Sequence, residues 1–221
     1  MKKIYISEEQ EKILFREAMQ GGFSFKNLEM IGSFRGRVNY ATEHFGRHIG
    51  KGSSRMVFQI DDEWILKLAI NEKGIAQNEV EAQYDYYKDD MSCFPHINRE
   101  MSDMEGYKFI VSEYVLLAKS ADFKHCFNMT FNEFASFIRK CGEHQFRYGL
   151  YGAMDEEKFY ELIEEDDDLR EIYDYISNYD APIGDLTRIA NWGITMRDGY
   201  PTMVILDSGL THDVLRNYYS R

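Results

Sequence analysis

The chain has 221 residues, enough for one domain or two small lobes, and 44% of them are hydrophobic, which supplies a core. Its formal net charge is −12, which argues against a nucleic-acid surface or an anionic membrane surface, since both attract basic patches. A local basic site within this acidic background would instead suit an anionic ligand held by a few residues and a metal.

In chain order, residues 7–19 (SEEQEKILFREAM) predict a first helix, with Ser7 as N-cap, acidic residues in the first turn, and Gly21-Gly22 ending it. The stretch 23–46 is mixed and yields no assignment. From His48 the pattern is strand-like, and Met56 to Ile60 and Trp64 to Ile70, separated by the turn signal Asp61-Asp62, read as a hairpin. Residues 75–88 predict a helix on which Ile75, Val80, Ala82 and Tyr86 are the less polar positions. Residues 105–115 (EGYKFIVSEYV) read as another strand, with Asp103 and Glu105 at its turn. Helices are expected over 130–146 and 156–177, where Phe159, Leu162, Ile163, Leu169, Ile172 and Ile176 approximate a 3.6-residue period. The acidic run Glu164 to Asp168 falls within the second and reads as a solvated helix segment. NWGIT, a turn at Arg197-Asp198-Gly199, and PTMVILD form a late second hairpin.

Several residues along this order carry chemistry. Gly50 and Gly52 precede a strand, and glycines let backbone N–H groups approach phosphate oxygens, although Gly-x-Gly is often only a turn. Lys67 is the single charge in an apolar strand and points either outward to solvent, the commoner case for a lone lysine, or inward to a partner; its spacing after Gly52, across the hairpin turn, brings it beneath the glycine turn. A buried ammonium needs a carboxylate, and Glu79 and Glu81 on the next helix are the candidates, Glu79 being the preferred support. Asp185 can accept or orient the proton of an attacking hydroxyl, and Asn191 offers a side-chain oxygen to Mg²⁺, though each also suits a cap or turn. Asp207 ends an apolar strand beside Ser208-Gly209, where a carboxylate is fixed by the sheet and exposed at its tip as a metal ligand, or simply ends a strand.

In this order the residues resemble those of the protein-kinase-like phosphotransferase superfamily. GKGSSRMV is similar to its glycine-rich loop, with Arg55 in place of the third glycine, and ILKLA to the strand carrying the ATP-phosphate lysine. VSEYV resembles the hinge that holds adenine through backbone groups, GDLTRIAN the catalytic loop, and LDSG the metal-binding D-F-G. The segments GSSR, LKLA and KGIAQNE are also similar to kinase-like proteins of phages and mobile elements. The resemblance implies an α+β, two-lobed protein-kinase-like fold with a truncated helical C-lobe. Residues 1–47 would form an N-terminal extension, 48–115 the N-lobe and 116–221 the C-lobe. ATP and Mg²⁺ are the implied cofactors. Gly50, Gly52, Ser53, Lys67, Glu79, Glu113 and Val115 would bind the nucleotide, Asn191 and Asp207 the metal, and Asp185, Lys67 and Arg188 would carry the transfer to a protein or small-molecule hydroxyl.

The departures shape that expectation. Ile183-Gly184 stands where protein kinases have His-Arg, and Gly-Asp is closer to small-molecule and aminoglycoside kinases. The spacing from Asp185 to Asn191 is one residue longer than in the family. Thr187 replaces the loop lysine, with Arg188 next to it as a substitute charge. The short stretch after Gly209 leaves no room for an activation segment. These departures support a second expectation, an inactive pseudokinase that binds nucleotide or protein.

Two other features bear on class. Cys93, Cys126 and Cys141 form an odd set with no disulfide pattern, the N-terminus turns acidic where a signal peptide would be apolar, and no run approaches the roughly 20 apolar residues of a membrane span. A cytoplasmic protein with no membrane partner is therefore expected. His125, Cys126, Cys141 and His144 lack the paired spacing of a zinc site and read as incidental.

Overall fold

The computed structural model describes residues 22–87, 91–146, 149–179 and 181–219. The helix expected over 7–19 lies outside them. The chain divides into two compact units. One comprises the chain up to Ala82 together with His96–Tyr114; the other comprises Gln83–Pro95 and the chain from Val115 onward.

The first unit is built on an antiparallel sheet of β1 (Gly50–Lys51), β2 (Arg55–Gln59), β3 (Trp64–Ala69) and β4 (Phe109–Glu113), hydrogen-bonded in that order. The β2–β3 turn forms because the Asp61 side chain accepts the backbone N–H groups of Glu63 and Trp64, both at 2.8 Å. β4 is shorter than the strand expected over 105–115. Its first residues are a turn in which Asp103 accepts from the N–H groups of Gly106 and Lys108, and Tyr107 takes a φ of 50°.

Alternation along the strands sorts the side chains onto two faces. Phe58, Leu66, Leu68, Phe109 and Val111 share one face and pack on Leu28, Ile31, Tyr40 and Ala41. Leu28 belongs to α1 (Phe25–Met30), whose C-cap is Ile31, and Tyr40 and Ala41 belong to α2 (Phe34–Phe45), two helices in the stretch that gave no assignment from sequence. Ser24 and Ser33 cap them, accepting from the N–H groups of Asn27 and Gly36. Each large apolar side chain enclosed here contributes roughly 1.5–3 kcal/mol of transfer free energy. The other face carries Arg55, Val57, Lys67 and Ile110, since Lys67 is paired with Val57 on one side and Ile110 on the other. Side chains of α3 (Glu72–Tyr87) meet this face.

The second unit contains a three-stranded antiparallel sheet of β5 (Leu116–Leu117), β6 (Trp192–Arg197) and β7 (Tyr200–Ile205). The β6–β7 hairpin turns on Asp198 and Gly199, at φ 50° and 85°. The helices are α4 (Ser120–Phe127), α5 (Phe131–Phe146), α6 (Glu156–Glu165), α7 (Asp167–Asn178), the one-turn α8 (Ile183–Leu186) and α9 (His212–Tyr218). A 3₁₀ turn, Ile189–Asn191, precedes β6. Phe123, Phe134, Phe137, Phe159, Leu169, Ile172, Ile176 and Trp192 are fully enclosed.

The single helix expected over 156–177 is two helices. Asp166 adopts an extended conformation and its side chain accepts from the N–H of Leu169, so it starts α7 instead of continuing α6. Arg170 closes the junction by donating to the carbonyls of Ile163 and Glu164 at the end of α6. The acidic run therefore contains a helix break at Asp166, while Glu164, Glu165 and Asp167 are exposed on the flanking helices, as expected of a solvated segment. Burial pushes the carboxyls of Asp166 and Asp168 above the usual range. No helix among the described residues is long and apolar enough to cross a membrane.

Candidate functional site

In the first unit, Lys67 is the buried charge of β3, 7% exposed, and its Nζ lies 2.9 Å from Oε2 of Glu81. Glu79, the expected support, is exposed. The correction follows from helix geometry. Two residues apart are about 200° apart around a helix, so only one of Glu79 and Glu81 can face the sheet. The face of α3 that does so is polar, carrying Gly74, Gln77, Asn78 and Glu81 at helical spacing, all buried.

Glu81 has a second cationic partner that the sequence pattern did not single out. Arg55, 7% exposed, places Nη1 2.9 Å from Oε1 of Glu81 and 3.3 Å from Oδ1 of Asn78. The Asn78 amide in turn donates to the carbonyls of Lys67 and Tyr107. Burial pushes the Glu81 carboxyl upward, but the charges of Arg55 and Lys67 outweigh it and hold Glu81 below the usual carboxylate range. The readable signal for this group was the spacing of Gln77, Asn78 and Glu81, polar residues one turn apart on a helix that abuts a strand.

The turn between β1 and β2 is closed by Gly52, whose N–H donates to the carbonyl of Arg55 at 2.9 Å. It is fastened to the start of α3. The Ser53 carbonyl accepts from Asn71, the Ser54 hydroxyl donates to Gln77 at 2.6 Å, and the Ser54 carbonyl accepts from the N–H of Ile70. A Cβ on Gly74 would fall 2.2 Å from that same Ser54 carbonyl, so the close approach of helix and turn requires glycine there. Gly50 and Gly52 differ. Neither has a positive φ, and an added Cβ would meet nothing nearer than 3.6 Å at Gly50 and 3.9 Å at Gly52.

At the end of β4, the N–H of Glu113 donates to the carbonyl of His96 at 2.8 Å, and its carboxylate accepts from the N–H of His96. That amide is therefore already engaged within the fold. Val115, at the start of the second unit, is buried.

In the second unit, Asp185 lies in α8, and its carboxylate sits 3.0 Å from Nη1 of Arg188. Burial, and the nearby charge of Asp207, push the Asp185 carboxyl upward against the opposing pull of Arg188. Asn191 donates its Nδ2 to the carbonyl of Asp185 at 2.9 Å, which leaves Oδ1 as its oxygen for a cation. The backbone N–H of Leu206 donates to the carbonyl of Asn191 at 2.9 Å, so the end of β7, and with it Asp207, is tied to the 3₁₀ turn. Trp192 holds the loop from below, its Nε1 donating to the carbonyl of Leu186 at 2.8 Å. Asp185, Arg188, Asn191 and Asp207 thus form one cluster of hard oxygen donors with one guanidinium. Among the described residues no group of three or more His, Cys, Asp or Glu side chains forms a metal cage.

Beside this loop an open pocket of about 400 Å³ is lined by Ile183, Gly184 and Thr187, with Arg139, Phe146 and His212 among its walls. Cys93, Cys126 and Cys141 are free thiols, and burial pushes that of Cys126 up to about 11. His144 faces Tyr173 and Glu156, not the cysteines.

No protein family and no curated protein matches the sequence. Among solved structures, the chain is similar to that of the streptomycin–ATP–APH(2")-IIa ternary complex, at 11% identity and a TM-score of 0.34. The similarity covers 74% of this chain and 64% of that one, so the chain spans less than two thirds of that protein.

Proposed function

We propose that this chain is a kinase-like phosphotransferase that binds ATP with Mg²⁺ and transfers the γ-phosphoryl group to a hydroxyl of a small molecule or protein. The observation that carries the reading is the buried Lys67–Glu81 pair on the sheet face of the β1–β2 turn. A charged lysine is costly to enclose, and here Glu81, shared with Arg55, lies against it. The turn supports it, because Gly50 and Gly52 have room for a side chain that the sequence does not use. A glycine that the fold does not require leaves the approach to the turn clear of a Cβ, so phosphate can come close to the backbone.

In this reading Lys67 holds phosphate oxygens and Glu81 supports it, while backbone groups of Gly50, Gly52 and Ser53 line the phosphates and those around Glu113 and Val115 meet the base. Asp207 and Oδ1 of Asn191 suit Mg²⁺, which takes one or two protein oxygens and shares the rest with phosphate and water. When bound, the metal would neutralise triphosphate charge. Asp185 orients the acceptor hydroxyl and takes its proton as the oxygen bonds to the γ-phosphorus and the bond to the β-bridging oxygen breaks, releasing ADP. Arg188 offsets charge at the loop. The pocket beside Gly184 and Thr187 would receive the acceptor.

A second reading, a nucleotide-binding pseudokinase, is favoured by one observation. Asp185 is already paired with Arg188, and Asn191 is engaged by the lengthened loop.

Thermal shift with ATP, with and without Mg²⁺, followed by labelled-phosphate transfer, separates the readings. Metal-dependent stabilisation is expected, with transfer reduced about 10²- to 10⁴-fold in Asp185→Ala, and with the metal-dependent part of the shift lost in Asp207→Ala. ATP binding without transfer by the wild type moves the assignment to the pseudokinase. Absence of ATP binding ends both.

A further inference from the structure

Arg55 occupies the position at which the glycine-loop pattern would have its third glycine, and it is buried. Its place follows from sheet register. Arg55 is two residues from Val57, and Val57 is paired with Lys67, so both cations project from one face of the sheet toward α3. The carboxylate of Glu81 is divided between them, Oε1 to Arg55 and Oε2 to Lys67. An ammonium on a flexible stem sets a distance; a second donor on the other oxygen also sets the plane of the carboxylate. Arg55 reaches a second residue of α3 as well, since Nη1 also meets Oδ1 of Asn78, whose amide holds the carbonyl of Lys67 itself. The neighbouring bonds act in the same direction: Asn71, just before α3, donates to the carbonyl of Ser53, and the Ser54 hydroxyl donates to Gln77. Three consecutive residues, 53 to 55, are thereby fastened to α3 and the residue that precedes it.

We propose that Arg55 is a positioning residue that fixes Glu81 against Lys67 and locks α3 to the glycine turn, so that the phosphate lysine is aligned before any nucleotide arrives. The proposal rests on the reading of Lys67 as a phosphate-binding residue. Glu81 is faced by Arg55 from β2 and Lys67 from β3, with Asn78 beside it on α3.

The test compares the full chain with Arg55→Gln, which keeps N–H donors but no charge, and Arg55→Lys, which keeps the charge. Two quantities are measured: the acid-unfolding midpoint by circular dichroism, and ATP affinity by calorimetry. A carboxylate whose folded pKa is depressed contributes stability above its unfolded value, near 4.3, and that stability is lost as pH falls through the folded pKa. Removing the Arg55 charge lets burial count for more, so Arg55→Gln is expected to unfold at a pH higher by about half a unit. It is expected to bind ATP about tenfold more weakly, with Arg55→Lys restoring most of both. An unchanged acid midpoint in Arg55→Gln overturns the proposal, as does a shifted midpoint with undiminished ATP affinity, which would make Arg55 a fold support only. If the wild type binds no ATP, the nucleotide reading fails on its own account. The midpoints then still decide whether Arg55 holds Glu81.

Discussion

A methyl group added at Gly52 would sit 3.9 Å from its nearest neighbour, the carbonyl oxygen of Arg55, and the backbone there is not in the left-handed region. Gly52→Ala should therefore leave stability within about 1 kcal/mol of wild type, and by limiting the unfolded chain it can even raise it. If the turn approaches phosphate, the same substitution should weaken ATP binding about tenfold, because a Cβ then stands between backbone and ligand. An alanine variant with wild-type affinity would reduce Gly52 to an ordinary turn residue. Lys67 was legible at this scale as the lone charge of an apolar strand, but the sequence left open whether it faced solvent or a partner. Its partner was not. Glu79 and Glu81 are chemically equal in the sequence, and only the angle at which α3 docks makes Glu81 the buried one. Arg55 was noticed as a departure from a glycine pattern, but the sequence holds no sign that its guanidinium is enclosed.

At the scale of elements, α3 is the informative one. Of its less polar positions Ile75 and Val80 are only half-buried and Ala82 is buried, while Gln77, Asn78 and Glu81 are enclosed as well. Hydrophobic periodicity is blurred in a helix whose sheet-facing side carries polar residues satisfied by hydrogen bonds and ion pairs. The Gly74 contact is the tight point of this docking, so Gly74→Ala should cost roughly 2–3 kcal/mol in a denaturant titration, with the backbone of Ser54 unable to yield cheaply. A loss below about half a kcal/mol would show that helix and turn are less closely fastened than their hydrogen bonds indicate. The junction between α6 and α7 is the opposite case. The apolar period runs on through residues 156–177, yet Asp166 caps a new helix, because an aspartate side chain can satisfy the free N–H groups of a first turn. α1 and α2 escaped detection for a related reason. Their serine caps are ordinary signals, but the helices are short or mixed in composition, and their stability comes from the sheet they cover.

For the molecule as a whole, a net charge of −12 sets a general repulsion that no single contact relieves. Raising salt from about 0.01 M to 0.15 M shortens the screening length from about 30 Å to about 8 Å, so the melting temperature should rise over that range. A fall would mean that attractive pairs of low exposure, such as Lys67 with Glu81 and Arg55, outweigh the general repulsion in setting stability. Both hairpins and most of the later helices were written in period and turn chemistry, which act between near neighbours in the chain. So were the residue types suited to a triphosphate and their order. The sequence by itself determined an acidic chain of mixed strand and helix pattern with one lysine in an apolar strand, its direction left open. Only the tertiary structure decided which glutamate meets that lysine, that an arginine shares it, and that Asp185, Asn191 and Asp207 cluster at one loop. Those are questions of which faces meet across long stretches of chain, and local pattern carries no record of the angle at which a helix comes to rest on a sheet.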